Sequence, residues 1–208
     1  MKRRFFLTAA AAAPVTALLL PLSDPQTAVA NTASSGGERF PNVPLITHRG
    51  EKVRFYDDVI RGNKINIINM MYTQCPDVCG GTLVNMARVQ ALLGERMGRD
   101  VFMYSISLDP RQDTPKVLAQ HAEHLGAGPN WTFLTGNPAD IERLRRALNF
   151  VDPDPAVDRD LSAHTGMVRA GNDALDRWMS CPGYAPAKQL AQSALWIGLA
   201  SAASKKSV

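Results

Sequence analysis

Cysteine is scarce in this chain, with three in 208 residues, and an odd, small count does not make a disulfide scaffold. Two of them, Cys75 and Cys79, stand four apart, while Cys181 is remote in sequence. That pattern suits a redox or soft-metal site better than a structural staple. A basic stripe interleaved with aromatics is missing, which removes nucleic acid as a partner class. Internal repeats and a second domain are missing too, and 45% apolar with 20% charged residues suits one ordinary globular domain. Excess charge is small. Of the net +4, Lys2, Arg3 and Arg4 less Asp24 account for +2, so the chain after residue 30 carries about +2.

The first 30 residues read as an export signal. Lys2, Arg3 and Arg4 make a basic start, an apolar run follows over residues 5–22, and Ala28-Val29-Ala30 supplies a small-residue cleavage site. Arg3-Arg4-Phe5-Phe6-Leu7 is also similar to a twin-arginine signal, which would carry the domain across a membrane already folded. Uncut, the same segment would act as a membrane anchor, although it is near the lower length limit for a span and Pro14 interrupts it. The expected location is therefore periplasmic or otherwise extracytoplasmic, with membrane association through the N-terminal segment if it is retained. Residues 31–42, rich in Ser and Gly up to residue 38, are expected as a flexible lead-in to a domain over residues 43–203.

Within that domain the periodicity alternates between strand and helix. Residues 64–72 are short, Ile-rich and preceded by Gly62-Asn63, which predicts a buried strand. Leu83, Met86, Val89, Leu92 and Leu93 then repeat at helical spacing and stop near Gly98. Residues 101–108 predict a second strand, and Asp113-Thr114-Pro115 a helix start, with a capping residue followed by proline at the first helical position. A third strand is expected at residues 131–134, and a helix opens at Asn137-Pro138 with Ile141, Leu144 and Leu148 on one face. A polar, proline-rich loop over residues 152–162 leads to His164. A hairpin turning at Gly171-Asn172 and a last helix over residues 186–199 close the chain, the helix too short in its apolar part to span a membrane. This order predicts an α/β domain with a central mixed sheet flanked by helices.

Cys75 and Cys79 follow directly on the first strand and open the first helix. One helical turn apart, their Cβ atoms would be roughly 5–6 Å from each other. That separation is wide for a relaxed disulfide but suits two sulfurs converging on a soft metal. The helix N-terminus favours thiolate, the form needed for metal binding and for disulfide exchange. Zinc and iron–sulfur sites ordinarily use four protein ligands, whereas two thiolates and one imidazole fit copper in either oxidation state. Four histidines are available for the third position. His121 and His124 fall in a helix beside polar residues and read as solvated. His48 lies in a turn beside Arg49-Gly50-Glu51, and His164 ends the polar loop. Position alone does not choose among them.

Two motifs do. Tyr72-Thr73-Gln74-Cys75-Pro76-Asp77-Val78-Cys79 is followed by Ser107-Leu108-Asp109-Pro110-Arg111-Gln112-Asp113-Thr114-Pro115, then by Leu134-Thr135-Gly136 and a single histidine ahead of the final hairpin. Over residues 43–168 the chain resembles the Sco/SenC family of copper-binding, thioredoxin-like proteins. The resemblance implies a thioredoxin-like fold and a copper site of Cys75, Cys79 and His164. It also implies a role in assembling the binuclear copper centre of cytochrome c oxidase, with an oxidase subunit or another copper protein as partner and the chain itself a monomer. Two positions depart from the family pattern. Gly80 stands where proline usually follows the second cysteine, and His164 is preceded by Ser162-Ala163 rather than an acidic neighbour.

The competing expectation is an exported thiol–disulfide oxidoreductase that needs only Cys75 and Cys79 as a redox pair and for which copper is incidental. A peroxidase of the peroxiredoxin kind is disfavoured, because its Pro-x3-Thr-x2-Cys arrangement is absent. Of the remaining candidates, Met70 and Met71 point to opposite faces of a strand and read as core. Turn formation and helix capping account for Asp109 and Asp113. Asp77 could tune the thiols by its charge. Cys181 reads as a buried, inert thiol, and Trp178 as packing.

Overall fold

The Ile-rich run expected as a buried strand is β3 (Ile65–Met71), and all seven of its residues are buried. It lies inside the sheet, with a neighbour on each side, so both faces need apolar cover and the sequence loses its alternation. The computed structural model describes residues 39–74, 78–160 and 165–204, with side chains for residues 39–74, 80–160 and 165–198. The segment expected as an export signal, Cys75 and His164 lie outside the described residues, as does the side chain of Cys79.

Around β3 the strands are β1 (Pro44–Thr47), β2 (Lys52–Arg54), β4 (Val101–Ser107), β5 (Trp131–Gly136), β6 (Met167–Asn172) and β7 (Arg177–Pro182). They form one sheet in the order β2-β1-β5-β4-β3-β6-β7. Strands β3, β4 and β5 are parallel, and β1, β2, β6 and β7 join antiparallel. The parallel strands require crossovers, which α1 (Val78–Leu93) and α2 (Pro115–His124) supply. Helix α3 (Pro138–Ala147), a single turn α4 (Pro155–Asp158) and α5 (Ala187–Ser204) complete the chain. This is the mixed, helix-flanked α/β sheet that the order of elements predicts. Among the described residues no helix is long and apolar enough to cross a membrane.

Two hydrophobic clusters cover the two faces. One gathers Ile67 and Met71 with Leu83, Met86 and Val89 of α1, Leu118 of α2 and Leu190 of α5. The other gathers Ile68 and Met70 with Leu45, Phe55 and Ile141 and Leu144 of α3. Met70 and Met71 therefore do part to opposite faces, as strand alternation requires.

Several details differ from the sequence-based expectation. Strands β1 and β2, four and three residues long, were too short to carry a periodic signal. Between them and β3, residues Phe55–Ile60 wind as a π-helical turn. Residues 39–42, expected within the flexible lead-in, are packed. Phe40 is fully buried against Phe55 and Trp178, and the Asn42 side chain accepts from the backbone of Tyr56. The final hairpin turns not at Gly171-Asn172, which belongs to β6, but at residues 173–176, with Asp176 left-handed at φ 47°. Gly171 is a glycine for packing. A Cβ there would stand 2.1 Å from the Trp178 ring, which lies across it. At α2 the expected cap directly before proline is Thr114, whose Oγ1 accepts from the Val117 amide, while Asp113, also read as a cap, does not serve as one.

Candidate functional site

Strand β3 ends at Met71, and its last carbonyl accepts from the Leu108 amide at 2.7 Å, binding it to the exit of β4. The next residues are held by Asp113. This carboxylate, 1% exposed, accepts from Thr73 Oγ1 at 2.5 Å, from the Thr73 amide at 3.3 Å and from Ser107 Oγ at 2.6 Å. Ser107 Oγ in turn accepts from the Asp109 amide. Asp113 thus ties the loop carrying Cys75 to the end of β4, a role that turn or cap chemistry did not suggest. The signal was present in the sequence only as a Thr two residues before Cys75 and a Ser-x5-Asp spacing.

Helix α1 is described from Val78, so Cys79 sits in its first turn, which holds no acidic residue. The amides and the positive dipole end of a helix N-terminus favour thiolate in general. A Cβ at Gly80 or Gly81 would meet nothing within 4 Å, and neither has positive φ. Glycine is not sterically required in that turn. Its effect is to lower the helical preference just after the second cysteine.

On the other flank, β6 runs antiparallel to β3 with Val168 opposite Asn69. The chain leaving β3 towards Cys75 and the chain entering β6 after His164 therefore meet at the same end of neighbouring strands, about 5 Å apart. The loop after β7 is fastened to the chain entering β6 and to α1. The Gly183 amide donates to the Gly166 carbonyl at 2.7 Å, and Asn85 of α1 donates to the carbonyls of Gly183 and Ala185, both at 2.7 Å. Gly183 has to be glycine, since a Cβ would stand 2.5 Å from Thr82 Cγ2 and 2.7 Å from the Gly166 carbonyl. Neither Asn85 nor Gly183 carried a recognisable signal in the sequence.

Further back, the polar loop expected to carry the chain to His164 contains α4, pinned by an ion pair. Arg145 of α3 donates to both Asp158 oxygens at 2.5 and 2.8 Å and also to the Phe150 carbonyl. The bonds from Arg145 and from the Asp152 amide hold the Asp158 carboxyl well below the usual carboxylate range.

The other histidines are accounted for differently from expectation in one case. His121 is not solvated. It packs edge-on to Phe133 with a buried, unpartnered Nε2, and burial pushes its pKa down. His124 is exposed. His48 lies in the β1–β2 turn with Nδ1 accepting from the Phe133 amide at 3.1 Å, and burial followed by Arg49 lowers its pKa. Cys181 is a free, half-buried thiol on β7 opposite Val168, and burial raises its pKa, which makes it a poor nucleophile. Among the described residues no cluster of three or more His, Cys, Asp or Glu could hold a metal ion.

Comparison with known proteins reaches the same region. The curated relatives include a SCO2-like protein of Rickettsia felis, 30% identical over 138 residues. The match covers 63% of this chain and 64% of that protein, so the chain spans a little under two thirds of the length of that relative. A solved structure of Bradyrhizobium japonicum ScoI with copper bound is similar with a TM-score of 0.58 at 23% identity, over 74% of this chain and 96% of that one. BsSco, described as a member of the Sco family of cytochrome c oxidase assembly proteins and as having a disulfide switch, gives 0.60 at 20% identity over 76% and 91%. At these identities the two structures speak for the fold, which is thioredoxin-like. The SCO1/SenC family model matches residues 31–173, well over half of the sequence and both cysteine-bearing and carboxylate-bearing motifs, and the chain belongs to that family.

Proposed function

We propose that the protein is an exported copper chaperone that binds copper through Cys75, Cys79 and His164. It would deliver the metal to the copper centre of a cytochrome c oxidase, or keep that centre's cysteines reduced. The observation that carries this reading is that the segment leading to Cys75 and the segment following His164 lie at the same end of the neighbouring strands β3 and β6, with α1 next in the chain after β3. Two thiolates and one imidazole form a soft, three-donor set suited to Cu(I) and able to hold Cu(II). The chain's own contribution is to stabilise thiolate at the α1 N-terminus and to fix the preceding loop through Asp113. The names of its relatives, which include a ScoI with copper bound, agree with this reading.

The test is copper titration of the reduced full chain beside Cys75→Ser and His164→Ala. One copper per chain and an intense thiolate-to-Cu(II) absorption band are expected for the parent, with the band lost in both variants. An unchanged affinity and band in His164→Ala would take that residue out of the site.

A second reading, a thiol–disulfide oxidoreductase, draws support from the glycine pair in the first turn of α1, which eases the adjustment needed to close a disulfide. In that reaction Cys75 and Cys79 lose two electrons and two protons to a partner disulfide, which becomes two thiols. Rapid metal-free exchange that survives His164→Ala would favour it over the chaperone reading.

A further inference from the structure

The sheet face beside α2 carries a groove of about 460 Å³ whose described lining includes no cysteine or histidine. Its floor is a row across three strands. Ile46 of β1 pairs with Lys52 of β2 on one side and Thr135 of β5 on the other, so the three side chains stand together on one face. Leu134 points to the α3 side and Phe133 to the α2 side, so alternation directs Thr135 onto the α2 side, where the groove lies. Pro110, Thr114 and Pro115 form the α2 wall, and Gly136 and Asn137 lead into α3.

Three features of this groove point to one ligand chemistry. Thr135 is 4% exposed, and its Oγ1 has no hydrogen-bond partner. A buried hydroxyl left unpaired costs stability unless a ligand supplies the partner. Both α2 and α3, each ten residues long, begin at the groove, so the positive ends of two helix dipoles meet there. Lys52 adds a full positive charge, and the described lining holds no acidic side chain. Of the other lining residues, Pro44, Ile46, Pro110 and Pro115 are apolar and branched or cyclic.

We propose that this groove binds a carboxylate carried on a short, branched or cyclic apolar body, with Thr135 Oγ1 donating to the carboxylate and Lys52 pairing with its charge. The body would rest on Ile46 and the prolines. A free small acid and the last residue of a peptide chain present the same chemistry. The inference does not depend on copper, and its readout is independent of the metal.

The test is an NMR titration of the reduced, metal-free full chain with 4-methylpentanoate and with its amide, then with acetyl-Ala-Leu as the acid and as the amide. Saturable shifts confined to Ile46, Lys52, Thr135 and their neighbours are expected with an acid. The matching amide should bind about tenfold more weakly, the weight of one charge-assisted hydrogen bond. Thr135→Val should lose most of that affinity while keeping or raising the melting temperature, because it removes an unpaired hydroxyl. Thr135→Ser should retain binding. Response to the free acid alone or to the peptide acid alone identifies the source, and either result supports the site. Equal binding of acid and amide, undiminished binding by Thr135→Val, or no saturable shift with any of the four probes would overturn the proposal.

Discussion

Two carboxylates organise the two flanks of the candidate site, and they do so by different physics. Asp113 stabilises the loop leading to Cys75 from inside the protein, accepting from two hydroxyls and a backbone amide. Asp158 fastens the loop that runs towards His164 nearer the surface, accepting from the Arg145 guanidinium. A buried carboxylate with neutral donors is fixed by geometry and is barely screened by salt. A guanidinium–carboxylate pair whose side chains keep 11% and 9% of their surface exposed is more open to salt than that and can be titrated away. The cysteine flank is therefore built as rigid structure, and the flank leading to His164 as an electrostatic clasp.

Breaking each in turn should expose the difference. The largest effect is expected from Asp113→Ala, which leaves the Thr73 and Ser107 hydroxyls facing an apolar gap. Urea unfolding should register a loss of about 4 kcal/mol. Next comes Ser107→Ala, which removes one donor to the buried carboxylate. A loss of about 2 kcal/mol is expected in the same assay, with little change between low and molar salt. Arg145→Met should cost less than either, and the gap from the parent should shrink in molar salt. Because the folded Asp158 pKa is depressed, its stabilising contribution is present above the ordinary carboxylate value of about 4. That contribution should fade as pH falls below that value towards the folded one, and an acid melting series in Arg145→Met should lack the step. The smallest change is Gly80→Ala, which fills open space in the first turn of α1 and should add about 0.5 kcal/mol of stability. If Asp113→Ala proved as mild and as salt-sensitive as Arg145→Met, the contrast between the flanks would collapse.

Much of the fold was legible from the residues. Apolar runs at strand length gave β3, β4 and β5, and helical spacing with proline at the first position gave α2 and α3. Short or double-purpose signals were harder to read. Three-residue β2 has no period to detect, and Gly171-Asn172 looks like a turn although its glycine only makes room for Trp178. His121 sits among polar neighbours in sequence, yet its ring packs on Phe133, because the neighbours of a helix face come from other elements. Asp113 was hidden for the same reason. Its partner Thr73 is 40 residues away, and nothing local distinguishes a carboxylate that caps a helix from one that bridges two loops.

The sequence by itself determined the α/β order, the paired cysteines at a strand-to-helix junction and, through its two long motifs, the family. These depend on local periodicity and on residue types at fixed spacing, which the chain carries wherever it folds. Only the tertiary structure decided that Asp113 latches the cysteine loop, that Asn85 and Gly183 bind α1 to the strand after His164, and that Thr135 keeps an unpaired hydroxyl at the floor of a groove. Each of those facts is a meeting of residues far apart in sequence. Such meetings are set by strand register and by packing across the sheet, which no local pattern records.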